Sequence, residues 1–388
     1  MENNNINENE EQNIYDEEAK QAEHMKMLQD ALSQKPKITE EDEDEVPMED
    51  FFALSSDDID EFDKKSWTKG AGYKSPEFPL TEKYLEGWSS GLYLFAGESN
   101  SGKSATMMNM LTSLCKCESN NLFGIYFTLD DSKDVIIPRI VAMDQKIPIS
   151  AVAKPQRYQD MIDEGDSDNI QIYEDYLEKR KIGLANLKEN NERLMILDSD
   201  NDNKKTGKKH PIRYVSDVFA YCKKVQAFLD CKCPGKKLII AIDSIKDLKI
   251  KKNLLGKDDD MDEEVARQVK NLAVSMDIIV LASTHLRKLN ANRRPTIDDL
   301  RDANTLVYEA SVVFLIYNDV SKNKSNASVF FSEDNDPAML PVIEVDWCKN
   351  KISSYKGRTF NFFYPDFSYC QECTEDKGKE FEQSIYQD

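Results

Sequence analysis

The chain has 388 residues, 40% of them hydrophobic, enough to bury the core of one large domain with appendages. Its 72 acidic and 51 basic side chains give a net charge of −21, but residues 1–65 hold 22 acidic and 6 basic groups and residues 370–388 hold 6 and 2, leaving −1 for residues 66–369. The acidity describes the ends, so a body that touches nucleic acid is not excluded, whereas three histidines (His24, His210, His285) exclude histidine-rich metal chemistry.

The amino terminus, MENNNINENEEQ, has no apolar leader region, and no stretch approaches the roughly 18 apolar residues of a membrane span. The expectation is a soluble protein kept in the cytoplasm, with its eight cysteines reduced. Residues 1–65 are too acidic and too poor in large apolar side chains to offset their ordering entropy, and read as a mostly disordered tail. Two islands in it are suited to fold on a partner: Ile14 to Leu32, and the acidic-hydrophobic run MEDFFALSSDDIDEF at 48–62.

From Gly91 the pattern becomes short apolar runs separated by helical segments, which is how an α/β domain with a mostly parallel sheet and flanking helices reads. The predicted strands are 91–96, 123–129, 193–197, 237–242, 277–283, 312–317 and 342–347. Apolar positions from Val215 to Leu229 fall on one face of a helix. A helix predicted over 132–145 contains Pro138, so it is either kinked or starts late. The charged stretches 198–211 and 251–262 read as surface loops. The domain is thus taken as 66–369, followed by an acidic carboxyl tail, 370–388.

The sharpest signal is Gly97-Glu98-Ser99-Asn100-Ser101-Gly102-Lys103-Ser104, a G-x-x-x-x-G-K-[ST] phosphate loop between an apolar strand and a helix. Small residues let its backbone amides wrap a polyphosphate, Lys103 reaches the β- and γ-phosphates, and the Ser104 hydroxyl ligates Mg²⁺. Asp243 ends the strand LIIAID, where a Walker-B carboxylate orders the magnesium shell. Asp130, at the end of strand 123–129, is the candidate to orient or deprotonate the attacking water, with Asp131 or Ser132 as the helix cap. His285 closes Ser283-Thr284-His285 at another strand tip, placed to contact the γ-phosphate. The loop that follows is basic at Arg287, Lys288, Arg293 and Arg294, which suits contacts to a polyanion backbone.

These motifs, in this order, resemble the DnaB-type replicative helicases, ring ATPases with a RecA-like core. The run RRPTIDDLRDANTLVYEASVVFLIYND (293–319) looks like the family signature, supported by LYLFAGESNSGKSATMMNML, IYFTLDDSKDVIIPRIVAMDQKIPIS, LIIAIDSIKDL and CKNKISSYKGRTFNFFY. The resemblance covers about residues 70–367. It implies an ATP- and Mg²⁺-dependent hexameric motor that hydrolyses nucleotide at subunit interfaces and moves on single-stranded DNA in replication. It further implies that Lys103 and Ser104 hold nucleotide and magnesium, that Asp243 is the Walker-B acid, and that Asp130 is the catalytic carboxylate, where the family usually has Glu. His285 fills the sensor place, Gln in many cellular members and His in T7-like phage helicases. Arg301, Asp302 and Asn304 fall in the loop that grips DNA, Asn304 standing where Gly is usual. The finger supplied in trans, normally Lys-x-Arg, reads Lys349-Asn350-Lys351.

The family's globular helical amino-terminal domain has no counterpart in residues 1–65, and a truncated ring helicase of this kind is similar to what a phage encodes. The acidic tails are then candidate docking segments for a replication partner. Two other readings share the core: a slow nucleotide-switched assembly ATPase like KaiC, favoured by the Asp130 and Lys351 departures, and a RecA-like recombinase. Finally, Cys231-x-Cys233 and Cys370-x-x-Cys373, with Cys115-x-Cys117 competing, have zinc-type spacing, against the simpler reading of reduced, unliganded thiols.

Overall fold

The computed structural model describes residues 48–68, 72–165, 169–189, 193–200, 209–251, 260–287, 289, 293–333 and 336–386, with some side chains near 48–55 and at 301–304 left outside the description. The chain divides into two units, Met1–Gly70 and Ala71–Asp388. In the first, α1 (Met48–Thr68) is a 21-residue helix covering the second of the two islands; the island Ile14 to Leu32 lies outside the described residues. Ile59, Phe62 and Trp67 stand exposed on α1 within one arc of its surface.

The second unit is built on a ten-stranded sheet. Its parallel part comprises β1 (Gly91–Gly97), β2 (Leu122–Thr128), β3 (Leu194–Asp198), β4 (Lys237–Asp243), β5 (Ile279–His285) and β6 (Val312–Asn318), in the order β3-β2-β4-β5-β1-β6. β8 (Asp336–Asn350), β9 (Arg358–Tyr364) and β10 (Tyr369–Glu372) extend the sheet antiparallel beyond β6, and β7 (Phe330–Glu333) pairs with β8. All seven strands read from the sequence form, within a few residues of their predicted ends except for the longer β8.

Period-two alternation sends the two faces of each strand to different cores. Leu92, Leu94 and Ala96 of β1 join the cluster under α8 (Val215–Lys232) and α9 (Met261–Ser275), whereas Tyr93 and Phe95 join the cluster under α3 (Lys103–Lys116) and α4 (Lys133–Gln145). Helix α4 starts at Lys133 and runs across Pro138, so its start is not delayed. Between α4 and β3 lie α5 (Ile149–Ala153), α6 (Pro155–Asp163) and α7 (Ile170–Glu189). Among the described residues no helix is long and apolar enough to cross a membrane.

The described part of the carboxyl segment, 370–386, is not a solvated tail. β10 is an edge strand of the sheet, and α12 (Glu375–Tyr386) packs Phe381 against Val329, Val342 and Phe360. Composition misled here because the acidic residues other than Glu372 lie at the surface while Cys370, Cys373 and Phe381 carry the burial. Glu372, near the start of that segment, reaches back 291 residues or more to accept from Leu80 N at 2.6 Å and from Thr81 N and Oγ1 at 3.0 and 2.6 Å, capping α2 (Pro79–Leu85).

Candidate nucleotide site

The site stands at the carboxyl edge of the parallel strands, where loops leave toward the helices. Register aligns its parts: Gly97 of β1 pairs with His285 of β5, and Thr128 of β2 pairs with Asp243 of β4. β1 feeds Gly97–Ser104 into α3. Gly102 adopts φ +93°, and a Cβ there would meet Ile343 Cδ1 at 2.4 Å, so only glycine lets the loop turn at this point. The turn leads directly into the amino end of α3, where amide hydrogens and the helix dipole favour phosphate. The hydroxyl of Ser101 is buried against Gly97, outside the lining of the cleft, with no hydrogen-bond partner among the described residues.

Lys103 is buried at 4% exposure, and its Nζ donates to the carbonyl of Glu98 at 2.7 Å. Burial pushes its ammonium down to about 8, against the pull of Asp243, Asp130 and Glu98. Asp243 is also buried; its Oδ1 accepts from Ser283 Oγ and its Oδ2 from Tyr126 OH at 2.7 Å. Two donors hold the carboxylate in one orientation and leave each oxygen a further lone pair, which fits a magnesium shell completed by Ser104. Asp130 follows directly: the amides of Leu129 and Asp130 both reach the carbonyl of Asp243, at 2.6 and 3.3 Å, so the two acids are fixed side by side. His285 is half-buried, and burial followed by the Lys103 charge holds it below its ordinary 6.5.

Lys103, Ser104, Asp130 and His285 line one cleft of about 800 Å³ together with the apolar Met339, Leu340, Pro341 and Phe363. A cleft that combines cationic, acidic and apolar groups has the size and polarity for a nucleoside triphosphate.

Several expectations are corrected. Neither Asp131 nor Ser132 caps α4 with its side chain: Asp131 pairs with Arg139 at 3.0 Å, and Asp198, from the adjacent strand β3, accepts from Lys133 N at 3.3 Å. Arg294 does not face a polyanion. Its guanidinium bonds twice to Glu344 at 2.7 Å and lies over the Tyr317 ring, because β6 and β8 place a buried carboxylate beneath the loop. Arg293 is held by Asp299 at 2.8 and 2.6 Å, which neutralises a charge expected for DNA. Arg287 remains exposed. Lys288 and the side chains of Arg301, Asp302 and Asn304 lie outside the described residues, the backbone of 297–303 forming a short 3₁₀ helix before α10 (Asn304–Glu309).

Lys349 and Lys351, expected to act in trans, stand away from the cleft of their own chain. Lys349 is level with Val313 near the start of β6, while the cleft lies at its end, Asn318. Five residues of strand put them about 16 Å apart along the sheet. Both lysines cap the carboxyl end of α10: Lys349 Nζ donates to the carbonyls of Val307 and Tyr308, and Lys351 Nζ to that of Tyr308 at 3.2 Å. All eight cysteines are free thiols, and among the described residues no group of three or more His, Cys, Asp or Glu could hold a metal ion, so the zinc pairing is not formed.

Sequence reasoning missed Tyr126 and Lys322. A tyrosine inside an otherwise apolar buried strand was the available signal, since its hydroxyl must find a partner. Lys322 lies on α11 (Asp319–Asn323), directly after β6, and pairs with Glu98 at 2.5 Å; nothing in its local sequence marks it.

A phosphate loop, a Walker-B acid and a second acid set on the carboxyl edge of this sheet order define a RecA-like nucleotide-binding core. The family model of the DnaB-like helicase C terminal domain matches residues 75–345, well over half of the chain, and the protein belongs to that family. Lys349 and Lys351 lie just beyond the match. Among solved structures, the chain is similar to one described as an ATPase domain, with TM-score 0.60 and 17% identity over 85% of this chain and 100% of that one. It is also similar to a DnaB-like replicative helicase described with its interactions with primase, with TM-score 0.59 and 18% identity over 85% and 68% of the two chains. No curated protein matches the sequence.

Proposed function

We propose that the protein is an ATP-dependent DNA helicase of the DnaB type, working as a ring, with a hexamer as the expected assembly, on single-stranded DNA. The observation that carries this reading is the split site. Lys103, Asp130, Asp243 and His285 share one edge of the sheet, while Lys349 and Lys351 stand near the other end of β6, an arrangement that supports a site completed by cations from a neighbouring subunit.

In such a site Lys103 and the loop amides hold the phosphates, and Asp130 takes the proton of, or orients, the attacking water. His285 donates or accepts a hydrogen bond at the γ-phosphate. The neighbour's Lys349 and Lys351 stabilise charge on the transferring phosphoryl group. Mg²⁺, held by Ser104 and Asp243, would neutralise phosphate charge. Arg287 and the adjoining loop would meet the DNA backbone, the body's near-neutral balance permitting this.

The exposed Ile59, Phe62 and Trp67 of α1 are a face suited to dock on a neighbouring subunit. The acidic segments at both ends are where a replication partner would bind. The cytoplasm of a bacterial or phage-infected cell is the matching location.

The test is steady-state ATP hydrolysis with and without single-stranded DNA at low and moderate salt, with Lys103→Ala as the blank. Strong stimulation by DNA is expected. A slow rate indifferent to DNA would overturn the motor in favour of a nucleotide-switched assembly protein.

A further inference from the structure

Glu98 departs from the character of its own loop. Ser99, Asn100 and Ser101 beside it are small or neutral, as a polyphosphate cradle requires, yet Glu98 brings a carboxylate to within a few residues of the phosphate-binding lysine. Its two ends join three segments. The carbonyl accepts from Lys103 Nζ at 2.7 Å, Oε1 accepts from Leu289 N at 2.9 Å, and Oε2 pairs with Lys322 Nζ at 2.5 Å. Glu98 and Lys322 side chains are 17% and 21% exposed, so the pair is well shielded from solvent. One residue earlier, Gly97 O accepts from Leu286 N at 3.0 Å. The basic loop therefore leaves β5 tied first to the backbone and then to a side chain of the phosphate loop.

We propose that Glu98 is a positioning residue that couples nucleotide occupancy to the placement of the basic loop, with Lys322 as its charge partner. This rests on the helicase reading, in which that loop meets DNA. When phosphate takes Lys103, the lysine gives up the Glu98 carbonyl and the loop backbone adjusts around the ligand. Leu289 hangs on the same residue, so the root of the basic loop moves with it. Lys322 offsets the negative charge that would otherwise repel the nucleotide. Coupling of this kind is reciprocal, so DNA on the loop should tighten nucleotide by the factor with which nucleotide tightens DNA.

The test uses the full chain and the anisotropy of a labelled oligo-dT, without nucleotide and with Mg²⁺ and a non-hydrolysable ATP analogue; a fluorescent nucleotide reports analogue affinity in parallel. The ratio of the two DNA dissociation constants is the coupling. Glu98→Ala should reduce it about fivefold or more. Glu98→Gln, which keeps an acceptor for Leu289 N, should fall between, and this near-isosteric variant serves if the alanine variant fails to fold. Lys322→Met should weaken analogue binding several-fold, and adding Glu98→Gln should restore it. Wild-type coupling in folded Glu98→Ala or Glu98→Gln overturns the proposal, as does DNA binding by the wild type with no coupling. A wild type that binds no DNA at all overturns the helicase reading itself.

Discussion

The guanidinium of Arg294 meets the carboxylate of Glu344 through two hydrogen bonds of 2.7 Å, with Asp319 at 3.9 Å and the Tyr317 ring 5.2 Å from the guanidinium carbon. Glu344 is 2% exposed, and burial pushes its carboxyl up while Arg294 pulls it back. This pair fastens the far end of the basic loop to β8, as Glu98 fastens the near end to the phosphate loop.

Removing one partner leaves a buried charge without its counter-ion, so Arg294→Ala should cost about 3 kcal/mol of unfolding free energy in urea titrations. DNA affinity of the folded fraction should stay near wild type. Arg287→Ala should weaken DNA binding uniformly across sequences and reduce the salt slope by about 1.

Composite sites predict complementation. Lys103→Ala should abolish hydrolysis by losing the phosphate ligand, whereas Lys351→Ala should abolish hydrolysis and spare nucleotide binding. Mixing the two inactive variants should restore part of the activity, because some interfaces then combine an intact cleft with an intact lysine pair. Normal hydrolysis by Lys351→Ala would show that it is not the finger.

Asp130 is one methylene shorter than the Glu usual in the family, and small displacements of a reacting group are costly. Asp130→Glu should raise kcat several-fold with little change in KM, while Asp130→Asn should remove most of the hydrolysis. A single-turnover assay separates this from product release.

His285 is held below its ordinary 6.5 by burial and by Lys103. The unfolded chain therefore takes up a proton before the folded one does. The His285 contribution to stability should be constant above about pH 6.5 and should decline as pH drops below it. In His285→Gln that decline should be shallower, measured as urea midpoints across the range.

Glu372 caps α2 from the opposite end of the chain, and burial pushes its carboxyl up to about 7, against its hydrogen bonds to Thr81 and Leu80. Glu372→Ala should cost about 1 kcal/mol, the usual worth of a lost cap. Since the folded state holds its proton up to about pH 7 and the unfolded chain gives it up near 4.5, the Glu372 contribution should decline as pH rises through that interval, read as the stability difference between wild type and Glu372→Gln.

The parallel strands, the strand–loop–helix setting of Gly97–Ser104 and the place of Asp243 at a strand end were legible in the sequence, because a strand buried on both faces must be a continuous apolar run and a phosphate loop needs glycine and lysine at fixed spacing. Those are local demands. Tertiary structure decided which charges are buried against a partner. Arg294 and Arg287 look alike in the sequence, and only the packing of β8 under the loop gives Arg294 a buried carboxylate. The acidic end 370–388 likewise looked like a tail until Cys370, Cys373 and Phe381 found the sheet. The cap at α4 came from Asp198, 65 residues beyond the amide it accepts from, and the cap at α2 from Glu372, about 290 residues away. Glu98 received Leu289 and Lys322 from segments some 190 and 220 residues on. Partners so far apart in the chain are set by strand order, since it is the closing of β1 between β5 and β6 that brings their loops to one edge.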